Sequence, residues 1–142
     1  MKKLIFITLI AVSMFSSSCR KDTGGNANMS TVDFTVNETR WSVPNNVEFG
    51  QEGYGYYVDL DFPELTENVI RNGMVTLYMK RGDTWTSVPF NIFRQSVDFV
   101  NYQGGYFYSI QVGTFSIDYY ESDHKTQNPG TQNFRLVIVQ PR

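Results

Sequence analysis

The sequence predicts an all-β fold, an antiparallel β-sandwich of about seven or eight short strands with one short helical turn. From Thr31 onward, segments in which apolar and polar residues alternate follow one another along the chain. Gly, Pro and Asn separate these segments at short intervals, as is typical of turns between antiparallel strands. Residues 31–142 are also enough to build one hydrophobic core, so we expect a single domain, with a β-barrel as the alternative architecture.

The first predicted strands show the alternation most clearly. In TVDFTV at 31–36 every second residue is apolar, and the same holds for YYVDLDF at 56–62. Pro63 ends the second of these strands because it has no N–H to donate to the ladder. Between the two lies TRWSV at 39–43, a shorter predicted strand in which Trp41 is a strong core candidate.

One helical signal follows, in LTENVIRNG at 65–73. Thr66 is a suitable N-cap, Glu67 places a negative charge in the first turn, and Gly73 suits the position after the last helical residue. Residues 66–72 therefore predict about two helical turns, which connect two strands and do not form a layer of their own.

Strands are again predicted after this helix, at MVTLYMK (74–80) and TWTSVPF (84–90), separated by the turn residues 81–83. A further strand is predicted over residues 95–102. Gln103-Gly104-Gly105 is the hairpin turn expected to follow it.

The last third of the chain contains two more strand signals. YFYSIQVGTFSIDYY at 106–120 changes the parity of its apolar residues at Gly113, which predicts a bulge or a short turn there. Residues 121–133 are predicted to form a loop, because Asn128-Pro129-Gly130 interrupts any regular pattern. FRLVIV at 134–139 is a nearly continuous apolar run, which predicts a strand buried on both faces or nearly so.

The N-terminus has the layout of a secretory signal peptide over residues 1–18. Lys2 and Lys3 are basic and precede an apolar run at 4–15. In a helix this run is about 18 Å long, short of the roughly 30 Å hydrocarbon core of a bilayer. A buried core helix is the other interpretation of such a run, but it does not explain the lysines before it or the serines after it.

Cys19 is the single cysteine and directly follows Ser16, Ser17 and Ser18. Small residues before a cysteine resemble a bacterial lipobox, in which the chain is cleaved before the cysteine and the thiol is acylated. Ser16 departs from the leucine usual at its position, although lipoproteins of the Bacteroidota are looser there. An ordinary signal peptide that leaves a free thiol is the alternative, but an exposed thiol is a liability on an exported protein. We therefore expect a lipid on Cys19, a flexible tether over residues 19–30, a β-sandwich domain over residues 31–142, and attachment to the outer membrane.

A set of motifs in fixed order runs from Trp41 to Pro141. Its members are FP at 62–63, LT at 65–66, VIRNG at 69–73, VTLY at 75–78, W at 85 with VPF at 88–90, and FRLVIVQP at 134–141. This order resembles small uncharacterised lipoproteins of the Bacteroidota. The resemblance implies a lipid-anchored envelope protein with a single β-sandwich domain, and it implies no particular activity.

Composition and charge argue against several classes of partner. Without residues 1–18 the chain has 10 Lys and Arg against 14 Asp and Glu, a net charge near −4, and it contains no basic run. Nucleic acid is therefore not an expected partner. No second cysteine is present to form a disulfide, so the stability of the domain must come from burial.

Few residues support catalysis. His124 is the only histidine and is expected to be solvated, because it lies between Asp123 and Lys125 in the predicted loop. Asp59 and Asp61 lie about 6.6 Å apart along one strand, within the range of paired-acid glycoside chemistry, although alternating acids on a wet face are ordinary surface. We expect no catalytic residues.

Metal binding is also not expected. One histidine and one lipidated cysteine cannot supply the usual zinc ligands. Glu121, Asp123 and Asn128 carry oxygens that suit calcium, but the spaced aspartates of a known calcium loop are absent. We therefore expect no cofactor.

Tyrosines are the remaining candidates for a ligand-binding surface. Five of them fall at strand ends or out of phase with the core pattern and are expected to be exposed: Tyr54, Tyr57, Tyr102, Tyr106 and Tyr120. Flat aromatic rings stack on sugars and anchor protein interfaces. Tyrosines are also good strand formers, so a purely structural role is the alternative.

These patterns lead to three functional hypotheses. The first is a non-catalytic structural or interaction module of the bacterial envelope, which meets a protein partner or another copy of itself. The second is a glycan-binding accessory lipoprotein at the cell surface. The third is an enzyme that uses Asp59, Asp61 and His124.

Overall fold

The computed structural model describes residues 27–95 and 101–141. The predicted signal peptide, Cys19 and most of the tether lie outside the described residues. Within them, eight antiparallel strands form two four-stranded sheets whose apolar faces pack together. The prediction of an all-β sandwich is therefore confirmed.

The strands and the helix succeed one another along the chain with short connections. Their bounds are Ala27–Val36 (β1), Gly55–Asp61 (β2), Glu67–Asn72 (α1), Met74–Arg81 (β3), Thr84–Val88 (β4), Phe90–Gln95 (β5), Asn101–Gln111 (β6), Thr114–Glu121 (β7) and Gln132–Pro141 (β8). Sheet I has the spatial order β1-β8-β3-β4, and sheet II has the order β2-β7-β6-β5. The chain therefore crosses between the sheets after β1, β2, β4 and β7, which ties the two layers together without a disulfide.

The α1 helix makes the crossing from β2 to β3, as the sequence predicts. The Thr66 hydroxyl accepts a hydrogen bond from the Val69 N–H, and the Gly73 N–H donates to the Val69 carbonyl at 2.9 Å. A Cβ on Gly73 would lie 2.6 Å from the Val139 carbonyl oxygen, so glycine is required where the helix leaves for β3. Within the described ranges, no helix has both the length and the apolar character needed to cross a membrane.

The core consists of the inner faces of both sheets and the loops that close them. Phe134 of β8 and Phe115 of β7 are fully buried, one in each sheet. Trp41 is 6 % exposed, and its indole N–H donates to the Gly130 carbonyl at 2.8 Å. The expectation that Trp41 belongs to the core is confirmed, although the strand predicted around it is not.

Residues 39–43 form no strand. A 3₁₀ turn at Glu38–Arg40 precedes Trp41, and only Ser42 pairs with a strand, through an isolated bridge to Tyr57. The residue that suggested a strand here is Trp41, which is apolar because its indole ring is buried. Burial of this ring does not require the segment to pair with a neighbouring strand.

Two further boundaries differ from the sequence prediction. The first strand begins at Ala27, four residues inside the expected tether, because residues 27–30 pair along 138–141 of β8 regardless of their side-chain pattern. Gln103-Gly104-Gly105 is not a turn but lies inside β6. Both glycines sit where other side chains need the space: a Cβ on Gly104 would lie 3.2 Å from Glu121 Cγ, and one on Gly105 would lie 2.8 Å from the Phe107 ring.

A turn at Gly113 precedes β7, and β8 is buried mainly on one face. Gly113 occupies a two-residue turn between β6 and β7 with φ of 75°, so the predicted short turn is confirmed. In β8, Phe134 and its alternate residues are buried, but the opposite face is only half-buried. That face is covered in part by Arg135, which pairs with Asp33 at 2.7 Å and lies over the Trp85 ring at 4.2 Å.

Candidate functional site

The C-terminal half of β7 separates two concave surfaces of the molecule. Tyr119 and Glu121 point into the sandwich and are buried, whereas Asp118 and Tyr120 lie on the outer face of sheet II and are exposed. This alternation is the period-two geometry of a strand with one wet face.

The outer surface contains a groove that we name the tyrosine groove. Its volume is about 150 Å³. The residues that line it come from β2, β7 and the loop before β2: Pro44, Gly53, Gly55, Tyr56, Tyr57, Asp118, Tyr119 and Tyr120. Two aromatic side chains, Tyr57 and Tyr120, thus share one depression with a carboxylate.

Backbone pairing and stacking hold the groove residues in place. Tyr57 lies directly opposite Asp118, and Gly55 lies directly opposite Tyr120 in the β2–β7 ladder. A Cβ on Gly55 would lie 2.7 Å from the Tyr119 carbonyl oxygen, so glycine permits the close approach of the two strands here. The Tyr120 ring stacks on Phe107 of the neighbouring strand, with centroids 4.9 Å apart and an interplanar angle of 12°.

The outer face of sheet II that carries the groove is acidic. Asp59 and Asp61 lie on the same outer face as Asp118, and Asp59 accepts a hydrogen bond from the Ser116 hydroxyl at 2.5 Å. Partial loss of hydration and, secondly, the nearby Asp59 charge raise the pKa of the Asp118 carboxyl above its ordinary value. The face therefore offers carboxylate oxygens that accept hydrogen bonds, and it disfavours additional negative charge.

Four of the five predicted tyrosines lie at the surface or are half-buried, in two regions of sheet II. Tyr57 and Tyr120 line the tyrosine groove, and Tyr54 lies nearby, with its ring edge-on to Tyr56 at 6.2 Å. Tyr102 is half-buried and lies opposite Arg94 in the β5–β6 ladder, on the other side of sheet II.

The expectation that Tyr106 is exposed is wrong. Tyr106 is 3 % exposed and stacks between Phe90 and Tyr119 in the core. It has the same strand parity as Tyr108 and Ile110, so the alternation within β6 was the signal that could have placed it inside. Its ring faces are therefore not available for a ligand on the outer surface.

Sequence reasoning missed a buried polar cluster at the end of β7. Glu121, placed by the sequence in a loop, is the last residue of β7 and is 3 % exposed. Its carboxylate accepts a hydrogen bond from the Tyr119 hydroxyl at 2.7 Å and pairs with Arg94 of β5 at 3.1 Å. Burial and then the Glu121 carboxylate raise the pKa of the Tyr119 hydroxyl well above its ordinary value, so this hydroxyl remains a proton donor.

The backbone of Glu121 is held just as closely. Its N–H donates to the Thr126 hydroxyl at 2.9 Å, and that hydroxyl donates to the Tyr54 carbonyl at 3.2 Å. Within the described residues, every fully buried side-chain nitrogen or oxygen has a hydrogen-bond partner. The cluster therefore joins β7, β5 and two loops at one end of the sandwich.

The histidine considered for catalysis does not lie with the two aspartates. Asp59 and Asp61 are exposed on the outer face of sheet II, whereas His124 is half-buried in the turn after β7 with φ of 60°. In the part of the chain that the structure describes, no group of three or more His, Cys, Asp or Glu residues is arranged to hold a metal ion.

Comparisons with protein-family models, with curated proteins and with solved structures found no match to this chain. The geometry of the groove and of the buried cluster is therefore the basis for assigning a function.

The raised pKa of Asp118 predicts a pH-dependent effect of its replacement. The folded state holds this proton more tightly than the unfolded chain does, so ionisation costs stability as the pH rises above the ordinary value of 3.8. Asn is neutral at all pH values. The change in the free energy of unfolding caused by Asp118→Asn should therefore be more favourable at about pH 7 than at about pH 3. Urea denaturation at both pH values measures this difference.

Asp83→Asn is the matched control, because Asp83 is exposed in the β3–β4 turn, away from the groove. It should change stability by the same small amount at both pH values. An effect of Asp118→Asn that does not differ between the two pH values would contradict the electrostatic description of the groove.

Proposed function

We propose that this protein is a non-catalytic binding module held at the bacterial envelope by a lipid on Cys19, and that its ligand is a neutral glycan. The observation that carries the proposal is the tyrosine groove, in which Tyr57 and Tyr120 lie beside the Asp118 carboxylate. The enzyme hypothesis has no comparable support, since His124 does not lie with Asp59 and Asp61.

The groove has the two kinds of contact that sugar recognition uses. Tyrosine rings offer flat apolar faces for the C–H groups of a sugar ring, with a hydroxyl at the edge. Asp118 adds carboxylate oxygens, which accept hydrogen bonds from sugar hydroxyls. Tyr120 is 46 % exposed and supported from behind by Phe107, so its orientation is fixed before a ligand arrives.

Charge selects between classes of glycan. Asp59, Asp61 and Asp118 all lie on the outer face of sheet II, and the chain after residue 18 has a net charge near −4. A polyanionic polysaccharide would meet like charge at this face, whereas a neutral one would not. The proposed ligand is therefore neutral.

A protein partner is the second candidate, and one residue favours it. Phe93 of β5 is 77 % exposed and lies on the same outer face as Phe107. An exposed phenylalanine is a typical anchor of a protein interface. Glycan binding through the groove does not require Phe93, so its replacement separates the two candidates.

The lipid anchor rests on the sequence alone. Its support is the basic start, the apolar run of residues 4–15, and the serines before Cys19. Ala27, where β1 begins, is the eighth residue after Cys19, so an extended tether would span at most about 28 Å. Such a tether would hold the sandwich close to the bilayer, and the motif order that resembles Bacteroidota lipoproteins fits this arrangement.

Glycan binding is tested by affinity electrophoresis of the full protein in detergent, through gels that contain neutral or acidic polysaccharides. We expect retardation by at least one neutral polysaccharide, and we expect Tyr57→Ala and Tyr120→Ala each to weaken it about tenfold, because each removes a stacking ring. Tyr78→Ala is the matched control, since Tyr78 lies on the outer face of sheet I.

Three outcomes would count against this assignment. Migration that no polysaccharide changes would remove the glycan proposal, as would equal losses in Tyr78→Ala and Tyr120→Ala. Capture of a specific envelope protein that Phe93→Ser abolishes, without any glycan binding, would establish the protein-partner candidate instead.

The anchor is tested by intact-mass measurement and membrane fractionation of the native protein. The mature chain should begin at Cys19 and carry the extra mass of acyl groups, and Cys19→Ser should lose both the acyl mass and membrane attachment. Ser17→Ala, which keeps the thiol, is the control and should remain attached. A bare thiol, or a chain that retains residues 1–18, would contradict the anchor.

A further inference from the structure

A second cavity lies between the two sheets, at the end of the sandwich where β3 finishes. Its volume is about 350 Å³, at the lower end of the range of small-molecule sites. Its walls come from β3, β5, β6, β7, the loop before β8 and the first residue of β8. It is separate from the tyrosine groove, because it opens on the inner side of sheet II.

The charged residues that line this cavity are two arginines, Arg81 and Arg94, and no carboxylate lines it. Arg94 pairs with the buried Glu121, which does not itself line the cavity. Arg81 makes no ion pair with any described residue, and its guanidinium lies over the Phe90 ring at 5.4 Å from the centroid. The cavity therefore has one cation more than its nearby carboxylate can neutralise.

Tyr106 adds a hydrogen-bond donor to this wall. Its ring is fixed between Phe90 and Tyr119, and the side chain lines the cavity. Burial raises the pKa of Tyr106 well above its ordinary value. The nearby Arg94 charge lowers this pKa and the Glu121 charge raises it, both by less than burial does. The hydroxyl therefore stays protonated and can donate to a ligand.

The remaining polar wall is held rigid by internal bonds. The Asn128 side chain donates to the Glu38 carbonyl at 3.2 Å and accepts from the Gly130 N–H at 2.8 Å. The Gln132 side chain donates to the Pro129 carbonyl. Met79 and Ile92 supply apolar surface between these polar groups. A wall whose groups are already fixed loses little conformational entropy when a ligand binds.

We name this cavity the arginine cavity. We propose that it binds a small organic ligand with an oxyanionic group, which is either a carboxylate or a sulfate. Arg81 and Arg94 receive the oxyanion, the Tyr106 hydroxyl donates to the ligand, and Met79 and Ile92 contact its apolar part. Guanidinium groups bind such anions through two parallel N–H donors, and these charge-assisted bonds are stronger than those to a neutral acceptor. Tyr119 lines both surfaces, but the inference is independent of the glycan proposal, since the residues assigned to contact this ligand lie on the opposite side of sheet II from Tyr57, Asp118 and Tyr120.

Titration calorimetry of the full protein in detergent tests this site, with glucuronate, glucose and inorganic sulfate as separate probes. We expect glucuronate to bind, and we expect Arg81→Gln to weaken it about tenfold or more, because a charge-assisted hydrogen bond is lost. Arg40→Gln is the matched control, since Arg40 is exposed and lies outside the cavity. Tyr106→Phe keeps the stacked ring and should weaken binding about fivefold.

The three probes separate the sources of recognition. Glucose can occupy the tyrosine groove, so its binding should not change in Arg81→Gln. Sulfate that binds as tightly as glucuronate would show that the oxyanion alone is recognised, and weaker sulfate would show that the rest of the ligand contributes. The proposal is overturned if neither anion binds, or if glucuronate binds equally well to the native protein and to Arg81→Gln.

Discussion

Burial of the Glu121 carboxylate is the constraint on which both concave surfaces depend. A buried carboxylate is tolerated only when it is paired and hydrogen-bonded, and here the Tyr119 hydroxyl and the Arg94 guanidinium meet that need. The absence of a side chain on Gly104 leaves the space in which these groups meet. A shift of β7 by one residue would move Tyr119 and Glu121 to the outer face and leave Arg94 without its partner. The cluster therefore specifies the register of the strand that carries both surfaces.

The fixed register gives the two faces of sheet II opposite chemistry. Outward residues of β7 contribute an aromatic ring and a carboxylate to the tyrosine groove, for which we propose a neutral ligand. Inward residues support the arginine cavity, where Arg81 makes no ion pair with a described residue and for which we propose an anionic ligand. A single strand thus supplies residues to both surfaces while keeping them apart. The fold needs no disulfide for this, because four chain crossings and the hydrophobic core between the sheets hold its two layers together.

Local pattern was sufficient for much of the fold and for part of the candidate site. Alternation predicted the sandwich, the α1 connector followed from Thr66 and Gly73, and the parity change predicted the turn at Gly113. Tyr57 and Tyr120 were also identified as candidate ligand residues. In each case the signal comes from residues that are neighbours along the chain.

Pairings between distant segments could not be predicted in this way. Arg94 and Glu121 are 27 positions apart and meet only because β5 and β7 flank β6. Glycines 104 and 105 indicate a turn when only the chain around them is considered, yet they mark places where side chains from other positions need room. The groove residue Asp118 likewise resembles any polar residue of a wet face until β2 brings Tyr57 opposite to it.

A double-mutant cycle between Tyr119 and Glu121 tests most directly whether the buried cluster supports this end of the sandwich. The free energy of unfolding would be measured by urea denaturation for the native protein, Tyr119→Phe, Glu121→Gln and the double variant. We expect a coupling energy above about 1 kcal/mol, because Tyr119→Phe removes the donor of this charge-assisted hydrogen bond and Glu121→Gln removes the charge of its acceptor, so either single change already loses most of the interaction. Additivity of the two single effects within about 0.5 kcal/mol would contradict the central role of this cluster.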